Sequence, residues 1–187
     1  MDNEQTLRQY NQVIEHCKSL FIKKAKDYGT AWTILRMPSI TDQIGIKADR
    51  IRSIQETQIN KVGDSIESEF MGIINYCIIA LLLLEREKSN EISLSDLNIL
   101  SAKYDEKVDF VQDTLLKKNH DYGEAWRKMR ISSMTDLILM KILRLKQIED
   151  NKGKTLVSEG PDGSYTDIMN YAVFCLILMT EAGETEI

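Results

Sequence analysis

Along residues 4–27, Tyr10, Ile14, Cys17 and Phe21 recur at alternating spacings of four and three, which is the stripe of an amphipathic helix. The stripe returns over residues 97–121 as Tyr104, Val108, Val111 and Leu115. Both stretches end in lysines, which complement the carbonyl end of a helix. Gly29 and Gly123 follow, suited to the left-handed residue that closes one. A second helix is predicted to start at "SITD" (39–42) and again at "SMTD" (133–136), where a Ser followed by an acid three residues on has the form of a capping box. A third covers roughly 66–87 and 164–182. It is apolar nearly all round, so it should be the most buried helix of each half. Residues 88–96, "KSNEISLSD", read as a polar link.

The pattern is a tandem duplication. Aligning Lys24 on Lys118 brings Asp27, Tyr28, Gly29, Ala31 and Trp32 onto Asp121, Tyr122, Gly123, Ala125 and Trp126, and Lys47 and Arg50 onto Lys141 and Arg144. One residue of slippage later, "NYCIIALLLL" (75–84) matches "NYAVFCLILM" (170–179). A three-helix unit cannot cover so apolar a third helix alone. The expectation is therefore an all-α fold in which two three-helix units, 1–90 and 95–187, pack as one pseudo-twofold helical bundle, a single helical domain over 1–187.

Composition agrees. Of 187 residues, 43% are hydrophobic and 28% charged, and only nine Gly and two Pro are available to break a many-stranded sheet. The net charge of −5 argues against broad nucleic-acid binding, which needs a basic surface. Cys17, Cys77 and Cys175 are far apart, odd in number and each in an apolar stretch, as reduced core cysteines are. The apolar runs near 70–84 and 168–179 fall short of the ~18–20 residues of a membrane span. The opening "MDNEQTLRQYNQ" is too polar for a signal peptide, so a cytoplasmic setting is expected.

Helical geometry sorts the charges. Lys47 falls inside the apolar stripe of Ile44, Ile51 and Ile54, with Arg50 at its edge; Lys141 and Arg144 share a face with Ile138, Leu145 and Ile148. Lys24 and Asp27, like Lys118 and Asp121, project along the buried stripe of the first helix. Asn75 and Asn170 are amides within the apolar third helix, with Glu67 and Asp162 about two turns earlier. Asp167 precedes Asn170 by one turn, where the first half has Gly72. Glu106, Asp109 and Asp113 project away from the stripe and read as a solvated face. His16 and His120 do not correspond, "GKT" at 153–155 lacks the upstream Gly of a phosphate loop, and "SEGPDGS" (158–164) reads as a turn able to cover one site.

Basic side chains on buried faces need anionic partners. Lys and Arg clamp phosphates, carboxylates hold Mg²⁺, and Tyr28, Trp32, Tyr122 and Trp126 offer faces on which a base can stack. More inward positive charge than certain inward acid suggests a nucleotide phosphate as ligand. Structural salt bridges within a non-catalytic interaction module would use the same residues, and that alternative stays open, as does further association into a homodimer.

The succession K-x-x-D-Y-G-x-A-W, K-x-x-R and N-Y with an apolar run resembles the nucleotide modification associated domain 1 family, over both halves. More distantly, the order of elements is similar to the all-α nucleotide pyrophosphohydrolases of the MazG and dimeric dUTPase type. That resemblance implies Mg²⁺ held by paired acids and attack of water on a phosphoanhydride, with Glu67, Asp162 and Asp167 as metal ligands and catalytic groups. Lys24, Asp27, Tyr28, Trp32, Lys47, Arg50 and Asn75, with Lys118, Asp121, Tyr122, Trp126, Lys141, Arg144 and Asn170, would then surround the nucleotide. The first helix carries no inward-facing ExxE box, so nucleotide binding is the firmer inheritance and Mg²⁺-dependent hydrolysis its extension.

Overall fold

The computed structural model describes residues 3–61, 63–88, 94–154, 160–185 and 187, with the side chains of 3, 88 and 118–122 outside that description. Six helices follow in order: α1 (Asn3–Tyr28), α2 (Met37–Thr57), α3 (Ile66–Lys88), α4 (Leu97–Tyr122), α5 (Ile131–Asp150) and α6 (Pro161–Glu181). Short 3-10 turns at Ala31–Ile34 and Ala125–Lys128 sit between the first and second helix of each repeat, and no strand occurs among the described residues. Fold class and duplication are as the sequence predicts.

The inner layer is α2, α3, α5 and α6, and the pair α3 and α6 is its centre. The near-uniform apolarity of these two helices is what makes this arrangement necessary: Phe70, Ile73, Ile74, Cys77 and Ile78 of α3 and Tyr165, Ile168, Met169, Ala172 and Val173 of α6 are fully buried. Counted over its whole length, the segment Ile66–Glu87 is long and apolar enough to cross a membrane, unlike the shorter run considered above, and 67% of its most apolar window is buried against the other helices. All three cysteines are free and buried, and burial pushes the Cys17 thiol up to about 12.

The repeats interlock. α1 packs more on α6 of the other repeat than on its own α3, and α4 packs more on α3 than on α6. Equivalent side chains fasten both crossings. Tyr10 donates its hydroxyl proton to Asn170 Oδ1 at 3.0 Å, and Tyr104 donates to Asn75 Oδ1 at 2.9 Å. Between α2 and α5, Thr41 donates to Glu149 at 2.5 Å while Gln55 donates to Thr135 at 3.1 Å. At the surface Lys146 meets Asp42 at 2.8 Å and Arg52 meets Asp136 at 3.8 Å.

Helix starts differ from the expected ones. α2 begins at Met37, with Pro38 in its first turn, and α5 begins at Ile131. Arg36 and Arg130 stand at the N-caps with no side-chain cap bond, so Ser39 and Ser133 lie inside the helix and the capping boxes do not form. Pro38 is pre-set for a first turn, and in α5 the Thr135 hydroxyl donates to Ile131 O instead. α6 starts at Pro161, so much of the anticipated turn at 158–164 is helical, and residues 158–159 of it lie outside the described residues. Gly29, at φ 70°, and Gly123, at φ 57°, close α1 and α4 as expected. Asp96, at the end of the link, caps α4 by accepting from Asn98 N and Ile99 N.

Candidate functional site

A cleft of about 620 Å³ opens in the first repeat. The C-terminal end of α1 supplies Phe21, Lys24 and Tyr28, the 3-10 turn supplies Trp32 and Ile34, α2 supplies Lys47, and α3 supplies Glu69, Gly72, Asn75, Tyr76 and Ile79. The turn exists because Gly29 takes a left-handed conformation after Tyr28, which reverses the chain and returns Trp32 over Phe21 with ring centroids 6.1 Å apart. Trp32 is half-buried, while Tyr28 is 60% and Ile34 85% exposed at the mouth.

At the inner end Lys47 and Arg50 converge on Glu69. Lys47 Nζ lies 3.0 Å from Glu69 Oε2, and Arg50 Nη1 donates to Glu69 Oε1. The Glu69 side chain is only 7% exposed, against 26% for Lys47 and 22% for Arg50. Arg50 also reaches Asp64 Oδ2 at 3.4 Å and the Asp64 carbonyl and Asn60 Oδ1 at 3.2 Å, so it ties down the connection between α2 and α3. Lys47 gets to Glu69 by crossing Gly72: a Cβ on Gly72 would stand 2.7 Å from Lys47 Cε.

Sequence pattern alone does not single out Glu69, which offsets one of the expected inward positive charges in this repeat. A signal lies in the alignment of the repeats. Position 167 lies one turn before Asn170 on the same side, its first-repeat counterpart is Gly72, and one turn before Gly72 on the same face stands Glu69. In the second repeat that place is Ser164. The carboxylate therefore sits one turn apart in the two copies, Glu69 in one and Asp167 in the other. Asp167 pairs with Lys141 at 2.6 Å, both side chains being 15% exposed.

Other candidates fall out as follows. Lys24 and Asp27 are exposed rather than on the buried stripe. The core contacts of α1 step from Phe21 to Ala25, its last buried residue, which turns Lys24 toward the cleft mouth and leaves Asp27 outside the lining. Asn75 and Asn170 are buried, and the fold itself uses them: beyond the tyrosine bonds, Asn75 Nδ2 donates to Cys17 O at 3.0 Å. Arg144 is half-buried on α5. Glu67 is half-buried in the first turn of α3 and does not line the cleft. Asp162 lies in the first turn of α6. Glu67, Asp162 and Asp167 are not gathered: among the described residues no three His, Cys, Asp or Glu side chains come together as an ion would require. The side chains of Lys118, Asp121 and Tyr122 lie outside the described residues. Glu106, Asp109 and Asp113 face solvent, as expected.

Trp126 differs from its counterpart Trp32. It is 6% exposed and stacks on Phe174, ring centroids 4.1 Å apart and planes 7° from parallel, while the Arg127 guanidinium stands 4.4 Å from the centre of its ring. Phe174 occupies the position of Ile79, and Arg127 that of Thr33.

Comparisons with curated proteins and with solved structures return no match for this chain. Residues 24–84 and 118–179 each match the family described as nucleotide modification associated domain 1. One matched segment falls in each structural repeat, running from the end of its first helix through most of its third, and together they make up most of the chain, which therefore belongs to the nucleotide modification associated domain 1 family.

Proposed function

We propose that the first-repeat cleft binds a nucleotide or a nucleotide-like phosphate. The observation that carries this reading is the meeting, in one cleft of about 620 Å³, of an aromatic wall (Tyr28, Trp32, Tyr76) with the ammonium groups of Lys24 and Lys47. The volume falls within the ~300–1,000 Å³ of small-molecule sites. A base stacks on Trp32 or Tyr28, and the phosphate meets Lys24 and the remaining donors of Lys47, whose ammonium also holds Glu69. Exposed aromatic and aliphatic side chains at the mouth, Tyr28 and Ile34, gain by being covered.

The charges bear on the kind of phosphate. Among the lining charges Lys24 and Lys47 balance Asp64 and Glu69, and Arg50, which pairs with both acids from outside the lining, adds one positive charge. This balance suits a ligand of one or two negative charges better than a triphosphate, whose outer phosphates would meet Asp64 and Glu69. The three acids expected to hold Mg²⁺, Glu67, Asp162 and Asp167, do not make one site among the described residues. Glu69 already accepts from two cations. The proposal therefore stops at binding, and no hydrolytic step is routed through an ion.

The test is thermal shift and tryptophan fluorescence against deoxynucleoside and ribonucleoside mono-, di- and triphosphates, with and without Mg²⁺. Stabilisation and quenching by at least one monophosphate, lost in Trp32→Ala, is the expected result. Failure of every nucleotide to stabilise or quench would overturn the reading. Pyrophosphate release measured on the same panel tests the hydrolytic extension separately.

A further inference from the structure

We propose that each chain carries one ligand site, in the first repeat, and that the corresponding region of the second repeat has been converted to packing, with Gly72 and Ile79 as the residues that keep the first site open. The inference rests on the reading of the first cleft as a nucleotide site, and its structural half can be tested without any ligand.

Three substitutions between equivalent positions make the case. The first is Ile79 against Phe174. Phe174 lies flat against Trp126 at 4.1 Å and so occupies one face of the indole. Ile79 leaves the corresponding face of Trp32 to the cleft, and the nearest aromatic contact of Trp32 is a tilted one with Phe21 at 6.1 Å. The second is Thr33 against Arg127. With Phe174 on one face of Trp126, the guanidinium of Arg127 covers the other. It is clamped there by Glu124 at 2.9 Å, Glu181 at 2.9 Å, and Thr6 and Gln9 at 2.8 Å. Thr6, from α1, also donates to Glu124, so the first repeat helps to lock this arrangement. Thr33 has no such reach: its hydroxyl bonds back to Thr30 O at 2.8 Å. A base cannot stack on an indole whose two faces are both taken.

The third is Gly72 against Asp167. In the second repeat an acid on the third helix receives Lys141 at 2.6 Å. In the first repeat the helix is bare there, and Lys47 runs across it to line the cleft. A side chain at position 72 would fall on Lys47 Cδ and Cε and displace it, and an Asp would offer it the partner that Lys141 has.

Two variants that each retain one tryptophan test the structural half. Acrylamide should quench Trp32 in Trp126→Phe several-fold more than Trp126 in Trp32→Phe, and Ile79→Phe added to the former should reduce that quenching. Equal quenching of the two tryptophans would overturn the proposal whether or not a nucleotide binds. Calorimetric titration with the deoxynucleoside 5′-monophosphates tests the other half on the full chain. One molecule bound per chain is expected, with binding lost in Ile79→Phe while its helical circular dichroism and cooperative unfolding are kept, and retained in Trp126→Phe. Gly72→Asp should weaken binding by about tenfold or more, the worth of one charge-assisted contact. Two molecules per chain, or undiminished affinity in both Ile79→Phe and Gly72→Asp, would refute it. If quenching behaves as expected and no monophosphate binds, the nucleotide reading fails while the asymmetry of the repeats stands.

Discussion

Removing Lys47 and Arg50 together should cost far more stability than the sum of removing each. Glu69 is 7% exposed and cannot regain water, whereas its two partners, 26% and 22% exposed, can. At 3.0 Å the Lys47–Glu69 attraction is about 5 kcal/mol gross at an effective dielectric constant near 20, before desolvation is subtracted. In Lys47→Met, Glu69 keeps Arg50, and the expected loss is about 1 kcal/mol or less. In Arg50→Met, Glu69 keeps Lys47, but the bonds to Asp64 and Asn60 go too, for a loss of about 2 kcal/mol. In the double variant the carboxylate is buried with neither partner, the situation that typically costs about 3–5 kcal/mol on its own. The coupling between the two positions should therefore be about 2 kcal/mol or more. Adding Glu69→Leu should restore much of the loss, because an apolar side chain suits this stretch of α3. Urea unfolding followed by circular dichroism at neutral pH measures all four variants. Additivity of the two single losses to within about 0.5 kcal/mol, or a triple variant no more stable than the double, would refute the view that a buried Glu69 organises the pair.

Two further outcomes follow from the contacts between repeats. Tyr10→Phe and Tyr104→Phe should destabilise by similar amounts, about 1–3 kcal/mol each, since each strips the hydroxyl from a buried Asn at an equivalent position; a large loss for one and none for the other, read from thermal melts, would contradict the reciprocal geometry. Burial raises the Glu149 carboxyl above its usual range, with the Thr41 hydrogen bond opposing. A carboxyl so raised contributes its stabilisation fully below about pH 4.3, the ordinary Glu value, and loses it as pH rises through the folded value. Glu149→Gln, which makes the position match Gln55 of the first repeat, should therefore melt above the parent at pH 7, with the gap closing toward pH 4; a gap that widens on acidification would reverse the sign.

Much of the fold was legible because it is written in repeated, period-3.6 apolar stripes, and duplication doubles that signal. Tyr10, Cys17 and Phe21 on α1, or Ile44 and Ile51 on α2, are buried as their spacing implies. What failed depends on neighbours that a helical wheel does not contain. Lys24 and Asp27 lie in line with Phe21 by angle, but the last core contact of α1 is made by Ala25, and an angle says nothing about where the partner helix ends. Asn75 looked like a ligand group because an amide in an apolar helix needs a partner, and the partner turned out to be a tyrosine of the other repeat. Trp32 and Trp126 share their local sequence and differ in environment. The difference comes from Ile79 and Phe174, some forty-seven positions further along the chain, and from the adjacent Thr33 and Arg127.

That divergence raises the question of why a second copy is needed if one repeat carries the cleft. The geometry of α1 supplies a physical reason. The cleft wall of Phe21, Lys24 and Tyr28 belongs to a helix that packs more on α4 and α6 of the other repeat, taken together, than on its own α3. Tyr10 is bonded to Asn170, and Phe21 itself lies 5.1 Å, ring to ring, from Tyr104. Cut away from 95–187, the first three helices would lose the surface that holds this wall in register against α3, and Asn75 would lose the Tyr104 bond that sets its side chain at the cleft floor. A unit whose first helix packs mostly on the other repeat does not hold this cleft wall by itself. The second repeat is thus free to fill its own Trp126 region, and the filling strengthens it as a scaffold: the clamp of Glu124 and Glu181 on Arg127 runs through Thr6 and Gln9 of α1. The packing that removes stacking faces from one repeat fastens the start of the helix whose far end lines the cleft in the other.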